Sequence, residues 1–188
     1  MVLYKLCLHV GWKIKIITLK CIFGRRIKLH WSDRIAPSVK IRINGEGQIF
    51  FGKHVEVREN CVFNVSSDGQ IIIGDNVFIN DLCAINARVC VNLKTDTMLG
   101  QGVKIYDHDH DIRSDDIKHT FKKSSVEIGE RVWLCSNVVV LRGCKVGADS
   151  IVAAGTVVRK SISSKVLCYN QKEIKEKVLE GDSTCSTP

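Results

Sequence analysis

From Ile128 to Ser163 the chain advances in steps of six. The first place of each step holds an aliphatic residue: Ile128, Leu134, Val140, Val146, Val152 and Val158. The fifth place holds something compact, namely Val132, Val138, Cys144, Ser150, Thr156 and Ile162. Places three and four carry turn formers or charges, as in Arg142-Gly143 and Ala148-Asp149. This period excludes a helix, in which every sixth residue lands roughly 240° around the axis at about 100° per residue. In a strand, six is a multiple of two, so all the first-place side chains point one way. Short strands broken by a turn at each step, in unbroken phase, mark a β-solenoid; the strands of a sandwich are spaced irregularly.

The run Ile128-Gly129-Glu130-Arg131-Val132-Trp133-Leu134 continues into Val146-Gly147-Ala148-Asp149-Ser150 and Ala153-Ala154-Gly155-Thr156-Val157-Val158-Arg159-Lys160. It resembles the hexapeptide-repeat acyltransferases, in the branch of the maltose, galactoside and capsular-polysaccharide O-acetyltransferases. With the upstream repeats the resemblance covers roughly residues 40–175. It implies an all-β fold, a left-handed parallel β-helix with short N-terminal and C-terminal helices. The left hand comes from the resemblance alone, since chain physics favours right-handed crossovers.

The chain of 188 residues is expected to hold one domain, and its 45% apolar content is that of a soluble globule. Lys and Arg outnumber Asp and Glu by 28 to 20, which suggests an anionic partner. Aromatic residues are not interleaved with the basic ones as a nucleic-acid stacking platform requires, so no nucleic acid is expected. The nine cysteines form no CxxC pair, and no metal is expected. Cys61, Cys83 and Cys144 fall on fifth places and read as small core residues. The odd cysteine total and the lack of a signal peptide fit a cytoplasmic protein, peripheral to the inner face of the membrane if its N-terminal segment binds there.

Residues 1–32 read as a basic amphipathic segment. Leu3, Leu6, Cys7, Val10, Ile14, Ile17 and Cys21 follow helical spacing, Lys5, His9, Lys13, Lys15 and Lys20 fall mostly between them, and Gly24 ends the helix. Residues 1–23 would either cap the solenoid or make peripheral contact with an anionic membrane. The β-helix is expected over 33–168, with the repeat interrupted by a loop at 106–127. Within it, Ser66-Ser67-Asp68-Gly69 reads as a protruding turn, a two-residue slip follows near Val91, and three steps of six make one coil. A C-terminal helix at 169–180 and a disordered tail at 181–188 complete the reading.

The loop carries Asp107-His108-Asp109-His110-Asp111. A long excursion from a rigid scaffold is where function concentrates. Transfer of an acyl group to a hydroxyl needs a base, and imidazole titrates near neutrality. The resemblance places that base after an aliphatic-x-x-x-x-His run, which Ile105 to His110 matches. His108 is the competitor, and Asp107 or Asp109 would orient the imidazole. Asn80, thirty residues before His110, corresponds to an acceptor-holding Asn of galactoside-type relatives. The resemblance further implies cofactor contacts by Trp133, the backbone N–H of Ser136, the smooth turn at Ala154, and Arg159 and Lys160 toward phosphates. Cys135 stands where the family has Gly.

The function the resemblance implies is acetyl-CoA-dependent O-acetyl transfer to a hydroxyl of a sugar or envelope glycan, by a homotrimer with sites between subunits. A γ-class carbonic-anhydrase-like zinc enzyme, using His108, His110 and His119, is the alternative enzyme. A non-catalytic β-helix binding module is the alternative outside catalysis.

Overall fold

The computed structural model describes residues 2–170, with side chains from residue 9 onward. The expected C-terminal helix, beyond Asn170, and the tail at 181–188 lie outside the described residues. The rest is a three-sided parallel β-helix closed at its N-terminal end by helix α1 (Val2–Phe23). The first face stacks strands at Ile27–Lys28, Gln48–Phe51, Gln70–Ile73, Cys90–Leu93, Val126–Ile128 and Lys145–Val146. The second stacks Arg34–Ile35, Glu56–Val57, Phe78–Ile79, Met98–Leu99, Trp133–Leu134, Ile151–Val152 and Leu167–Cys168. The third stacks Lys40–Ile43, Val62–Val65, Ala84–Ala87, Lys104–Tyr106, Val139–Val140 and Val157–Val158. Each strand pairs in parallel with the strand one coil away.

The period of six is realised as burial. All the first-place residues from Ile128 to Val158 lie in the core, as do the fifth-place residues from Val132 to Thr156. Ile162, at the last step, is partly buried against the core. The fourth place is where the backbone turns: Arg131, Asn137, Gly143, Asp149 and Gly155 all have φ between 52° and 75°. That left-handed conformation costs a non-glycine residue about 1–2 kcal/mol. Hydrogen bonds between coils hold it, such as Asn137 N–H to the Gln101 carbonyl at 2.8 Å. The thiols of Cys61, Cys83 and Cys144 lie in the core and donate to the carbonyls of Asn80, Gly100 and Val158 at 3.0, 3.2 and 3.5 Å.

Coil length differs from the expected three steps of six over half the prism. Gln48 pairs with Gln70 and Val62 with Ala84, a repeat of 22 residues. Four-residue strands on the first and third faces account for the excess, together with a longer corner between them. Ser66–Gly69 is that corner, and Asn44–Gly47 is its counterpart one coil earlier. The slip near Val91 is the same corner shortened to Arg88-Val89, which brings the repeat to 20 where Gln70 pairs with Cys90. Only after the loop, where Glu127 pairs with Lys145, does the coil reach 18 residues.

The β-helix also begins earlier than residue 33. Ile27 is buried and pairs with Ile49, so the first rung lies inside the basic segment. Arg25, Arg26 and Lys28 around it hide that alternation in the sequence. Helix α1, at 22 residues, fills the span expected of it, and Gly24 ends it with φ 54°. It caps the prism, but through a different stripe from the one its spacing marks. Ile16 and Leu19 are buried against the first coil. Val10, Ile14 and Ile17 are half exposed or more, at 50%, 58% and 50%.

Candidate active site

The chain leaves the prism after Tyr106, at the edge between the third and first faces, and returns at Val126. Its arms are an antiparallel hairpin pairing His108–His110 with Phe121–Lys123. The root is Asp107, which is fully buried. Its carboxylate accepts the backbone N–H of Arg88 at 2.9 Å and of Val89 at 2.7 Å, and faces His108 Nδ1 at 2.8 Å. Burial alone would push this carboxyl up; the bonds from His108, Val89 and Arg88 outweigh it and hold the group below the usual carboxylate range. Coils on either side brace the hairpin. The Arg88 guanidinium lies 3.5 Å from the centre of the Phe121 ring, and Arg142 Nε donates to Asp109 Oδ2 at 2.6 Å. Lys122 pairs with Asp111 at 3.1 Å.

His110 is exposed near the end of its arm, its ring tilted against Phe121 at 4.6 Å. Its Nδ1 is 2.8 Å from the Ile117 carbonyl oxygen. A carbonyl only accepts, so Nδ1 carries a proton, and in the neutral ring the lone pair falls to Nε2. The expectation that Asp107 or Asp109 orients His110 is thus corrected. Asp107 holds His108, Asp109 holds Arg142, and the Ile117 carbonyl sets His110. Arg88, Ile117, Phe121 and Arg142 were not legible as site residues. One signal was available: Arg88 and Arg142 occupy the same corner of the coils before and after the excursion. His119 pairs with Asp116 at 2.9 Å and with neither loop histidine.

The other expected residues divide between two edges. Trp133 projects from the second face, 44% exposed, in register with Phe78, Met98, Ile151 and Leu167. Ser136 and Ala154 sit on successive corners between the second and third faces, where Gly155 N–H donates to the Ser136 carbonyl at 2.9 Å. Asn80 occupies this edge lower down. Its Oδ1 accepts the Asp81 N–H at 2.9 Å, so the side chain caps its own turn. Arg159 and Lys160 are exposed at the other edge, above the hairpin, without an ion pair among the described residues. The structure therefore groups Trp133, Ser136 and Ala154, and groups His110 with the edge of Arg159 and Lys160. The width of the third face separates the two groups within one chain.

A parallel β-helix interrupted by a histidine-bearing hairpin defines a recognisable class of proteins. Residues 125–160 match the family model described as bacterial transferase hexapeptide (six repeats). The chain is 35% identical over 160 residues to WbbJ of Escherichia coli (strain K12), named as a candidate lipopolysaccharide biosynthesis O-acetyl transferase; the match covers 79% of this chain and 70% of that protein. Against the galactoside O-acetyltransferase of Lactococcus lactis it is 32% identical over 87 residues, 45% of this chain and 42% of the relative. Among solved structures, a mutant of AntD, an N-acyltransferase from Bacillus cereus in complex with dTDP-4-amino-4,6-dideoxyglucose and coenzyme A, superposes with a TM-score of 0.70 at 16% identity, covering 88% and 89% of the two chains. At that identity the likeness speaks for the fold. The chain belongs to the hexapeptide-repeat acetyltransferases, and its fold is that family's left-handed parallel β-helix.

Proposed function

We propose that this protein transfers the acetyl group of acetyl-CoA to a hydroxyl of a sugar or glycan, with His110 as general base. The observation that carries this reading is the setting of His110, an exposed residue on a braced hairpin whose Nδ1 is tied to the Ile117 carbonyl. Nε2 takes the proton of the acceptor hydroxyl as its oxygen attacks the thioester carbon. The C–O bond forms, the C–S bond breaks, and the proton passes to the departing thiolate. The geometry also fits the donor. Ala154 and Gly155 form an open, exposed corner, with nothing within 4 Å of where a Gly155 Cβ would stand, and Trp133 flanks it. Arg159 and Lys160 supply charge for phosphates.

Because His110 and the Trp133–Ala154 edge lie across the third face from each other, the working site combines two chains of a homotrimer. The exposed apolar row Met98, Trp133, Ile151 and Leu167 on the second face supports such an interface. WbbJ and the galactoside enzyme, both named for O-acetyl transfer, favour a hydroxyl over an amine. The test is thiol release from acetyl-CoA across a panel of sugars and oligosaccharides, with the product treated with hydroxylamine. An ester cleaves and an amide survives. His110→Ala should lower the rate by about 10²-fold or more with the fold intact. An amide product, or full activity in that variant, overturns the proposal.

A further inference from the structure

The outer face of helix α1 has no role in the prism. Val10, Ile14 and Ile17 form one stripe along the helix, 50–58% exposed, on the side opposite Ile16 and Leu19. Ile22, at 63%, and the indole of Trp31, at 59%, extend the apolar surface at its flank. A helix that caps a prism needs one apolar side; this one has two.

Charge in the segment that carries the stripe is of one sign. Residues 1–32 hold seven of the chain's 28 Lys and Arg and none of its 20 Asp and Glu, leaving 21 against 20 for residues 33–188. Nearly all of the net charge of +8 therefore sits at this end of the molecule. Its bound groups are neutral. Lys13 donates to the Trp31 carbonyl and lies 4.9 Å from the ring, Lys15 donates to the Pro37 carbonyl at 3.0 Å, and Arg26 to the Gly45 carbonyl at 3.0 Å. Among the described residues Lys20 and Arg25 have no partner, and none of these five cations pairs with a carboxylate. No helix among the described residues is long and apolar enough to cross a membrane.

We infer that α1 lies flat on an anionic bilayer, its Val10–Ile14–Ile17 ridge among the acyl chains and its lysines and arginines at the headgroups, so that the prism stands end-on at the membrane. An apolar ridge, a cationic collar without acids and an adjacent exposed Trp are the features of a helix in the bilayer interface. A protein groove would match the ridge, but would leave the collar unanswered unless it were itself acidic. In the trimer proposed above, cyclic symmetry turns all three helices toward the same side. The surface itself does not depend on that reading.

The experiment is sedimentation of the purified full chain with sucrose-loaded vesicles, of phosphatidylcholine alone or of phosphatidylcholine with phosphatidylglycerol at 3:1. Binding to the anionic vesicles should exceed binding to the neutral ones at least tenfold, and should fall as salt rises from about 0.1 to about 0.5 M. Ile14→Asn with Ile17→Asn changes only exposed positions, so circular dichroism and acetyl transfer should hold while vesicle binding drops at least tenfold. Lys20→Glu with Arg25→Glu should abolish the preference for anionic lipid. Equal binding to both vesicles, no binding, or ridge variants that bind like the unaltered chain each overturn the inference. So does a ridge variant that changes the oligomeric state by light scattering while the unaltered chain ignores vesicles, which would assign the ridge to a protein contact.

Discussion

Replacing Asp107 by Ala should free the hairpin that carries His110 without unfolding the prism. The Asp107 carboxylate accepts the N–H groups of Arg88 and Val89 at 2.9 and 2.7 Å, with His108 Nδ1 as a third contact. Each hydrogen bond to a charged acceptor is worth about 1.5–3 kcal/mol. Water reaches the half-exposed Val89 corner in the variant, so the lower end applies, about 3 kcal/mol for the two backbone bonds. At 1.4 kcal/mol per factor of ten, the Arg88 and Val89 amides should exchange with solvent roughly 10²-fold faster. Turnover should fall by about 10²-fold as the hairpin loses its register. Amide exchange by NMR reads the first effect and thiol release the second. Unchanged protection at both amides would refute the assigned role. The sign with pH follows from the depressed carboxyl of Asp107. Its anchoring is fully present above the unfolded value of about 3.9 and is lost as pH falls through the lower folded value. Protection at Arg88 and Val89 should therefore persist at pH 5 and collapse only in stronger acid.

Gly147→Ala would set a Cβ 2.3 Å from the Ser164 backbone nitrogen, and should lower stability by about 1–3 kcal/mol in thermal denaturation. Leu134→Ala hollows a fully buried position and should cost about 2–5 kcal/mol, whereas the adjacent, exposed Trp133→Ala should leave Tm nearly unchanged and raise KM for acetyl-CoA. Arg142→Ala breaks the half-exposed pair with Asp109, which should cost under about 1 kcal/mol of stability while lowering kcat, since the pair positions the hairpin.

How much of this was legible in the sequence depends on how local the cause is. The step of six reports which way a side chain points, and that is settled within the repeat, so Ile128, Leu134 and Val140 could be placed in the core directly. Coil closure depends on corner length, which the hydrophobic pattern does not encode; hence the coils of 22 and 20 residues. The loop stood out because the pattern stops there, and His110 could be singled out within it. What holds the hairpin could not, because Arg88 and Arg142 come from coils separated from it in sequence and joined to it only by stacking. Helix α1 misled for a related reason. Both of its sides are apolar, and spacing alone does not say which of them meets the prism.

The central claim is that His110 of one chain works with the Trp133–Ala154 edge of another. Co-expressing His110→Ala chains with Ala154→Trp chains tests it most directly. Each variant alone should be inactive. Random mixing in a trimer pairs an intact histidine with an intact corner at about a quarter of the interfaces, so about a quarter of full activity should return. Mixed assemblies with no activity would place the whole site within one chain and contradict the account.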